Sequence, residues 1–230
     1  MNIKKFDLSL NKKINPFKKT INVDSDKSIS IRSFLIGSIS QKVSSLNNIL
    51  ESEDVFSSIN CLRKLGVKIK KIRAKKYLVY GNGFGCLAIN KNAKLDFGNS
   101  GTLARLLIGI LTTTPNINVN LLGDHSLSKR SMKNLMKLME KFGAYFFPKN
   151  KFNFPFKLIS SSMPIGITYK AGSSAQLKSA VMLAGLNSYG VTKIVETQMS
   201  RDHTENILLN NKRIIKIKKK QKKIIRIHGK

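Results

Sequence analysis

The sequence predicts an α/β fold made of three repeated β-α-β-α-β-β units. Apolar residues at helical spacing alternate along the chain with short runs typical of strands, and Gly66 and Gly143 end two of the predicted helices. The first helices of the three units begin near Lys27, Ser100 and Ser174, which are 73 and 74 residues apart. This period is longer than that of the common solenoid repeats.

The pattern places two helices and several strands in each unit. Helices are predicted over 28–40, 53–65, 102–111, 132–142, 174–187 and 202–209. Strands are predicted over 43–50, 67–72, 77–80, 95–97, 116–122, 144–147, 156–159, 167–170, 191–196, 214–218 and 223–227. The units therefore cover about 21–92, 93–163 and 164–230, with residues 1–20 as a separate N-terminal strand segment.

The composition indicates a basic, folded protein. The 230 residues include 42 Lys+Arg against 12 Asp+Glu, which gives a formal charge of +30, and 41% are hydrophobic. That apolar content excludes wholesale disorder, and the charge attracts nucleic acid, acidic lipid or phosphorylated metabolites. Because Trp, zinc-finger spacing and RNP-type motifs are missing, the sequence favours small anions over specific nucleic-acid binding.

The sequence lacks a recognisable signal peptide or membrane span, which favours the cytoplasm. The longest apolar runs are far shorter than the ~20 residues of a membrane span, and residues 1–13 lack the apolar core of a signal peptide. The two cysteines, Cys61 and Cys86, do not suffice for a disulfide scaffold. We therefore expect a reducing compartment and no membrane partner, and we leave open whether either cysteine does more than fill the core.

The first segment whose residues are suited to ligand binding is 26–32. Lys27 and Ser28 lie at a predicted helix N-terminus, where free amides and the helix dipole favour an anion. Arg32 follows one turn later on the same face. A phosphate or carboxylate there would meet an ammonium, a hydroxyl and a planar guanidinium. An ordinary helix cap with solvated charges is the alternative.

Two further segments lie in the second unit. Glycines, among them Gly101, flank the Asn99–Ser100 pair and let backbone amides approach a ligand closely. Arg130 ends a predicted polar loop, 123–130, where its guanidinium can clamp a carboxylate. The alternatives are a strand-to-helix turn capped by Ser100 and an exposed basic loop.

The last segments belong to the third unit. Ser174 and Gln176 begin a predicted helix and can donate hydrogen bonds to a phosphate or a hydroxyl. Ser200–Arg201 precede the final helix, where Asp202 and Glu205 have the spacing of a capping box. No set of His, Cys, Asp or Glu has metal-ligand spacing, and a G-x-S-x-G nucleophile elbow is missing from the sequence.

Together the segments resemble the 5-enolpyruvylshikimate-3-phosphate synthase branch of the enolpyruvyl transferase family. The matching strings are DKSISIR (26–32), LDFGNSGTLARLL (95–107), GDHSLSKR (123–130), SSAQLKSAVMLAGLNSYGVT (173–192) and SRDHTE (200–205). The resemblance implies two similar domains, each made of three units with buried helices and outer sheets, around a central active-site cleft. It also implies that residues 1–20 belong to the other domain.

The resemblance implies transfer of the enolpyruvyl group from phosphoenolpyruvate to the 5-hydroxyl of shikimate 3-phosphate, a step of aromatic amino acid biosynthesis, through a tetrahedral intermediate. It implies no metal or organic cofactor. By position, Lys27 would be the catalytic clamp that contacts both substrates. The other implied ligand residues are Ser28, Arg32, Ser174, Ser200 and Arg201 for shikimate 3-phosphate, Asn99, Gly101 and Arg130 for phosphoenolpyruvate, and Gln176 for both.

The chain also departs from the family pattern. Asp24–Ser25 replace a usual Pro-Gly pair, Ile31 a His or Asn, Ser131 a Pro, and Ala175 a Ser found in some members. The family's second domain, with an aspartate base, is not found within the 230 residues. We therefore expect the first half of such an enzyme, as a fragment, a truncated product or one part of a split enzyme, and no turnover by this chain alone.

Other interpretations stay open from the sequence. UDP-N-acetylglucosamine enolpyruvyl transferases resemble this chain less, because they have an early Lys-Asn pair and usually a loop cysteine. Here Ser28 follows Lys27, and residues 112–130 contain no cysteine. A non-catalytic, anion-binding half of a split or degenerate enzyme is the second alternative, and a basic nucleic-acid binder is the least favoured.

Overall fold

The computed structural model describes residues 9, 11, 13, 15–16, 18–21, 23–90, 93–219 and 221–230. The helices are α1 (Lys27–Ser38), α2 (Glu53–Lys64), α3 (Gly101–Thr113), α4 (His125–Ser128), α5 (Lys133–Glu140), α6 (Ala175–Gly185) and α7 (His203–Leu208). The strands are β1 (Val43–Leu46), β2 (Lys68–Arg73), β3 (Lys76–Tyr80), β4 (Lys94–Asp96), β5 (Asn118–Leu122), β6 (Tyr145–Phe147), β7 (Phe156–Ile159), β8 (Thr168–Ala171), β9 (Val191–Glu196), β10 (Ile215–Lys219) and β11 (Lys223–His228). The predicted strand segment 1–20 lies mainly outside the described residues and stays a prediction.

The sheets confirm the predicted repetition. The second unit forms a sheet with the order β4-β5-β7-β6, and the third forms β8-β9-β11-β10. In both, the first two strands are parallel and the remaining pairs are antiparallel. The first unit has the sheet β1-β3-β2 among its described residues.

The helices and strands predicted from periodicity agree with the structure to within four residues at each end. The predicted polar loop 123–130 is wrong in one respect, because it contains the one-turn helix α4. The Asp124 carboxylate caps α4 by accepting a hydrogen bond from the Leu127 amide at 2.7 Å. A single turn offers too few apolar positions for periodicity to detect it.

Helices α3 and α6 form the centre of the domain and run parallel. Near their N-terminal ends, Gln176 Nε2 donates to Thr102 Oγ1 at 3.0 Å. Near their C-terminal ends, Thr113 Oγ1 donates to the Ala184 carbonyl at 3.1 Å. Most residues of both helices are buried, because both segments are apolar around the whole helix.

Helix α1 lies parallel to α6 as well. Arg32 contacts Ser179 near the middle of the two helices, and Ile36 and Leu186 line one cavity at their later ends. The three helices α1, α3 and α6 therefore begin at a common end of the domain. The sheets cover them from outside, with buried and exposed residues alternating along strands such as β5. Buried helices and outer sheets are thus confirmed.

Replacement of Gly109 by Ala tests the close contact of α3 with α6. A Cβ atom there would lie 2.5 Å from the Ala180 carbonyl oxygen and 2.9 Å from its Cα. Because neither helix backbone can withdraw without disturbing the core, we expect Gly109→Ala to lower the free energy of unfolding by about 1–3 kcal/mol in urea titration. Gly172→Ala is the control, because a Cβ there meets nothing within 4 Å. An unchanged stability for Gly109→Ala would contradict this account.

Candidate active site

The common end of α1, α3 and α6 carries three side-chain caps. Asp26, Ser100 and Ser174 each accept a hydrogen bond from the amide three residues later, at 2.7, 3.3 and 3.3 Å. The caps stand at equivalent places in the three units, 74 residues apart. The first helix thus begins at Lys27, as predicted. Both cap serines act as acceptors to the backbone, so each hydroxyl hydrogen can still be offered to a ligand.

Lys27 is already engaged in an ion pair. Its Nζ lies 2.7 Å from Oδ2 of Asp54, in the first turn of α2, and the lysine side chain is 51% exposed. The sequence analysis did not find Asp54, because an acid in the first turn of a helix is explained by the helix dipole alone. An incoming anion therefore has to share the Lys27 ammonium with Asp54 or displace this carboxylate.

Arg32 is buried and makes its contacts with neutral groups. Nε donates to Thr204 Oγ1 at 2.8 Å, Nη1 to the Ser28 carbonyl at 2.9 Å, and Nη2 to Ser179 Oγ at 3.4 Å. The predicted proximity of Ser28 and Arg32 along one helix face is therefore confirmed. These contacts orient the guanidinium and leave its charge uncompensated.

A second guanidinium, Arg201, acts on Arg32. Burial lowers the pKa of Arg32, and the charge of Arg201 lowers it further, whereas Asp26 and Glu205 raise it. Among the described residues, no carboxylate lies within salt-bridge distance of Arg32 or Arg201. Two like charges thus share one region next to the start of α1, and an anion would relieve their repulsion.

The start of α3 holds a second arginine pair. Arg105 Nη1 donates to the Gly101 carbonyl at 3.1 Å, and Arg130 Nη2 to Ser126 Oγ at 3.4 Å. Burial and then the charge of Arg130 lower the pKa of Arg105. A Cβ on Gly101 would lie 2.8 Å from Arg105 Nη1 and 3.3 Å from Arg130 Nη1, so the glycine lets both groups come close. Asn99 is exposed in the preceding turn.

Gln176 joins the start of α6 to the start of α3. Its hydrogen bond to Thr102 joins the first turns of α6 and α3, next to the caps Ser174 and Ser100. The amide oxygen of Gln176 remains an acceptor for a ligand hydroxyl. The structure thus brings the predicted residues of the first, second and third units to one end of the helix layer.

Ser200 contacts a buried acid instead of open space. Its amide and its hydroxyl both donate to Glu196 Oε1, at 3.0 and 2.9 Å. The hydroxyl then presents only lone pairs to a ligand, and a donor role toward phosphate requires that the hydroxyl leave Glu196. Arg201, the next residue, is exposed and offers its guanidinium without such a change.

A buried ion-pair network lies beneath residues 197–202, the connection from β9 to α7. The fully buried Lys178 Nζ lies 2.7 Å from Glu196 Oε1 and 2.6 Å from Glu205 Oε1, and Lys223 Nζ lies 3.3 and 3.4 Å from the same two carboxylates. The predicted capping box is therefore wrong. Asp202 makes no side-chain cap to α7, and Glu205 binds lysines instead.

The network shifts the protonation of Glu196. Burial by itself raises the pKa of this carboxyl. Hydrogen bonds from Lys178 and Ser200, together with the charges of two lysines, outweigh burial and lower the pKa to about 2. The network also raises the pKa of Lys223, because the charges of Glu205 and Glu196 outweigh its burial. Glu196 is therefore ionised at neutral pH.

Cys61 is a core residue with an inert thiol. It is buried, its Sγ–H donates to the Asp96 carbonyl at 3.1 Å, and burial raises its pKa to about 12. The described part of the chain contains no group of three or more His, Cys, Asp or Glu placed to hold a metal ion. None of the helices described is long and apolar enough to cross a membrane.

Comparison with known proteins agrees with this geometry. The family model of EPSP synthase (3-phosphoshikimate 1-carboxyvinyltransferase) matches residues 11–230. The chain belongs to the EPSP synthase family. It is 40% identical over 189 residues to the 3-phosphoshikimate 1-carboxyvinyltransferase of Pseudomonas sp. (strain PG2982), and 37% identical over 200 residues to that of Syntrophomonas wolfei. The structure of EPSP synthase from Acinetobacter baumannii matches with a TM-score of 0.82 at 33% identity.

The similarity covers most of this chain and part of its relatives. The alignments include 82% and 86% of the chain but 41% and 46% of the Pseudomonas and Syntrophomonas proteins. The structural match covers 91% of the chain and 46% of the Acinetobacter EPSP synthase. The chain thus spans just under half the length of the relatives it matches.

The stability of the network depends on pH in a defined direction. Because the pKa of Glu196 falls from the ordinary 4.5 to about 2, its contribution to stability is complete above pH 4.5 and is lost as the pH falls to about 2. We expect the urea midpoint of the chain to fall over this interval. The double variant Lys178→Met/Glu196→Met should show a shallower fall, because it lacks this titration.

The control for this prediction is Glu140→Gln, which removes an exposed carboxylate on α5 and should keep the original slope. Hydrogen bonds from Tyr77, Lys71 and the Lys75 amide lower the pKa of Glu51 to about 2 as well. This carboxyl is present in all three proteins, so its titration does not distinguish them. Identical pH profiles for the original chain and the double variant would show that Glu196 does not contribute in this way.

Proposed function

We propose that the chain binds shikimate 3-phosphate and phosphoenolpyruvate at the common end of α1, α3 and α6, as the substrate-binding part of an enolpyruvyl transferase. The observation that supports this most strongly is the presence of two arginine pairs, Arg32 with Arg201 and Arg105 with Arg130. In each pair one guanidinium is desolvated beside a second one, and no described carboxylate forms a salt bridge to either. Arginines held close together without carboxylate partners favour a multiply charged anion.

The first pair fits the phosphate of shikimate 3-phosphate. Arg201 is exposed, Arg32 is held from below by Thr204 and Ser28, and Ser174 can donate its hydroxyl hydrogen at the start of α6. Together with the free amides of the helix, these groups supply charge and directed donors. Ser28, which is half-buried in the first turn of α1, completes this side in the proposal.

The second pair fits phosphoenolpyruvate. Arg130 is exposed beside Arg105, and Gly101 leaves room for a carboxylate or phosphate to approach the start of α3. Asn99 stands at the entrance, in the turn that leads to the helix. Gln176, bonded to Thr102, lies between the two regions and contacts both ligands in the proposal.

This arrangement would hold the two reactants in contact. In the transfer, the 5-hydroxyl oxygen bonds to C2 of phosphoenolpyruvate while C3 gains a proton, and the hydroxyl proton goes to a base. The tetrahedral adduct then loses a proton from C3 and phosphate from C2, which restores the double bond. The arginines would neutralise the anions, and Lys27 would lie near the reacting atoms as a proton carrier and charge partner.

The carboxylates at this end are already engaged. Asp26 caps α1, and Asp54 holds Lys27. We therefore include in the proposal a further polypeptide segment, of the same chain or of another, that closes over this end and supplies the base. The proposed setting is the cytoplasm, which the free thiols of Cys61 and Cys86 support.

Substitution of Arg201 tests the binding site. We expect Arg201→Ala to weaken shikimate 3-phosphate binding by about tenfold or more in calorimetric titration, because it removes a charge-assisted contact. Its melting temperature should not change, since the side chain is exposed. The control Arg73→Ala removes the same charge from an exposed position on β2 and should bind normally. Equal weakening by both variants would indicate general charge attraction, as in a nucleic-acid binder, and contradict the proposal.

Turnover is the second test. We expect the 230-residue chain, mixed with phosphoenolpyruvate and shikimate 3-phosphate, to release no phosphate above the uncatalysed rate, because Asp26 and Asp54 are both committed. Addition of a polypeptide that corresponds to the remaining half of the relatives should restore release. Phosphate release by the chain alone would show that a base is available among its own residues.

A further inference from the structure

The connection from β9 to α7, residues 197–202, carries Arg201 and is anchored to the domain at few points. Met199 is 99% exposed, and Arg201 is exposed as well. Near its middle, the connection is bound to the domain by Ser200, whose amide and hydroxyl both donate to Glu196 Oε1. The amide and hydroxyl of Thr197 also anchor the start of the connection, by donating to the Ala171 carbonyl at 3.0 and 2.7 Å. Among these anchors, Glu196 Oε1 is the one that holds the residue next to Arg201.

That carboxylate is itself fixed from two sides. Lys178 of α6 lies 2.7 Å from the oxygen that Ser200 uses, and Lys223 of β11 lies 3.3 Å from the other oxygen. Burial of such charges is costly, and well-packed apolar side chains of similar size often stabilise a protein equally well. Stability alone thus does not explain why the buried charges are there. A role in placing the connection 197–202 would explain them.

The network also reaches Arg32 through α7. Thr204 accepts a hydrogen bond from Arg32, and its neighbour Glu205 pairs with Lys178 at 2.6 Å. Arg32 and Arg201 repel each other, so an unsupported connection would carry Arg201 away into solvent. Glu196 accepts from Ser200, and Glu205 pairs with Lys178 and Lys223. Neither carboxylate forms a salt bridge to Arg32 or Arg201, which keeps both guanidinium groups available to a ligand.

We propose that Glu196 is a positioning residue for the phosphate site. Through Ser200 it holds Arg201 opposite Arg32, so that both guanidinium groups meet the phosphate of shikimate 3-phosphate. This role rests on the proposed function, and it assigns to Ser200 the task of anchoring the connection by its two donors. Lys178 in turn fixes Glu196 and compensates its charge.

Two matched double variants separate this role from stability. Lys178→Met/Glu196→Gln and Lys178→Met/Glu196→Met both remove the central ion pair, and both leave the Lys223–Glu205 pair in place. Glutamine keeps an oxygen that accepts from the Ser200 amide and hydroxyl, whereas methionine does not. The two proteins therefore differ chiefly in the anchor for Ser200.

We expect the Gln variant to bind shikimate 3-phosphate within about threefold of the original chain, and the Met variant about tenfold more weakly or worse, in calorimetric titration. Hydrogen exchange of the Ser200 amide is the ligand-free measurement. Protection should remain with Gln and be lost with Met, while thermal melting shows both variants folded.

Each outcome decides between the hypotheses. Equal affinity of the two variants would overturn the positioning role and leave the proposed function intact. Weak binding by both, with the Ser200 amide protected in the Gln variant, would also overturn it, because the network would then act through its charge. Absence of saturable binding by the original chain would overturn the proposed function and this role with it. Should both variants unfold, Ser200→Ala, which removes one of the two anchors, must weaken binding and also speed hydrogen exchange of the residue-200 amide without ligand. Weaker binding with unchanged exchange would indicate a direct contact of the Ser200 hydroxyl with the ligand and overturn the positioning role.

Discussion

Like-charged guanidinium groups repel one another, and the domain holds four of them at one end of a helix layer without neutralising them. Arg32 and Arg105 are desolvated, and each lies beside a second arginine that lowers its pKa. Such an arrangement is unfavourable until an anion arrives, so the surrounding structure has to impose it. The neutral acceptors of Arg32 and the glycine beside Arg105 accommodate it, and in our proposal the buried network beneath Arg201 does so as well.

Repetition supplies the frame for this arrangement. Caps at 26, 100 and 174 place three helix N-termini at one end, and the hydrogen bond between Gln176 and Thr102 also joins residues 74 positions apart. The units then diverge in what they add. The second contributes the Arg105–Arg130 pair, whereas the third contributes a charged network and an exposed connection. A repeated backbone thus carries different chemistry at equivalent positions.

What the sequence predicts well is what neighbouring residues determine. Helix periodicity and the one-turn spacing of Ser28 and Arg32 are local, and the structure confirms them. Pairs that form across the fold leave no such pattern. Thr204, which is 172 residues from Arg32 in the chain, accepts its hydrogen bond, and Asp54 of α2 forms the ion pair with Lys27 of α1. Lys178, in a helix whose other residues are mostly apolar, is the available signal, because a buried lysine needs a partner.

The scarce acidic residues are more informative than the abundant basic ones. With 42 Lys+Arg against 12 Asp+Glu, many lysines lie on exposed strand positions such as those of β2, where they do not mark a site. The acids, in contrast, are mostly committed to structure. Asp26 and Asp124 cap helices, Asp54 pairs with Lys27, and Glu196 and Glu205 hold the buried lysine. At the arginine pairs, cations stand together and no described carboxylate forms a salt bridge to them. In our proposal this feature, more than the net charge, distinguishes the anion site from a basic surface.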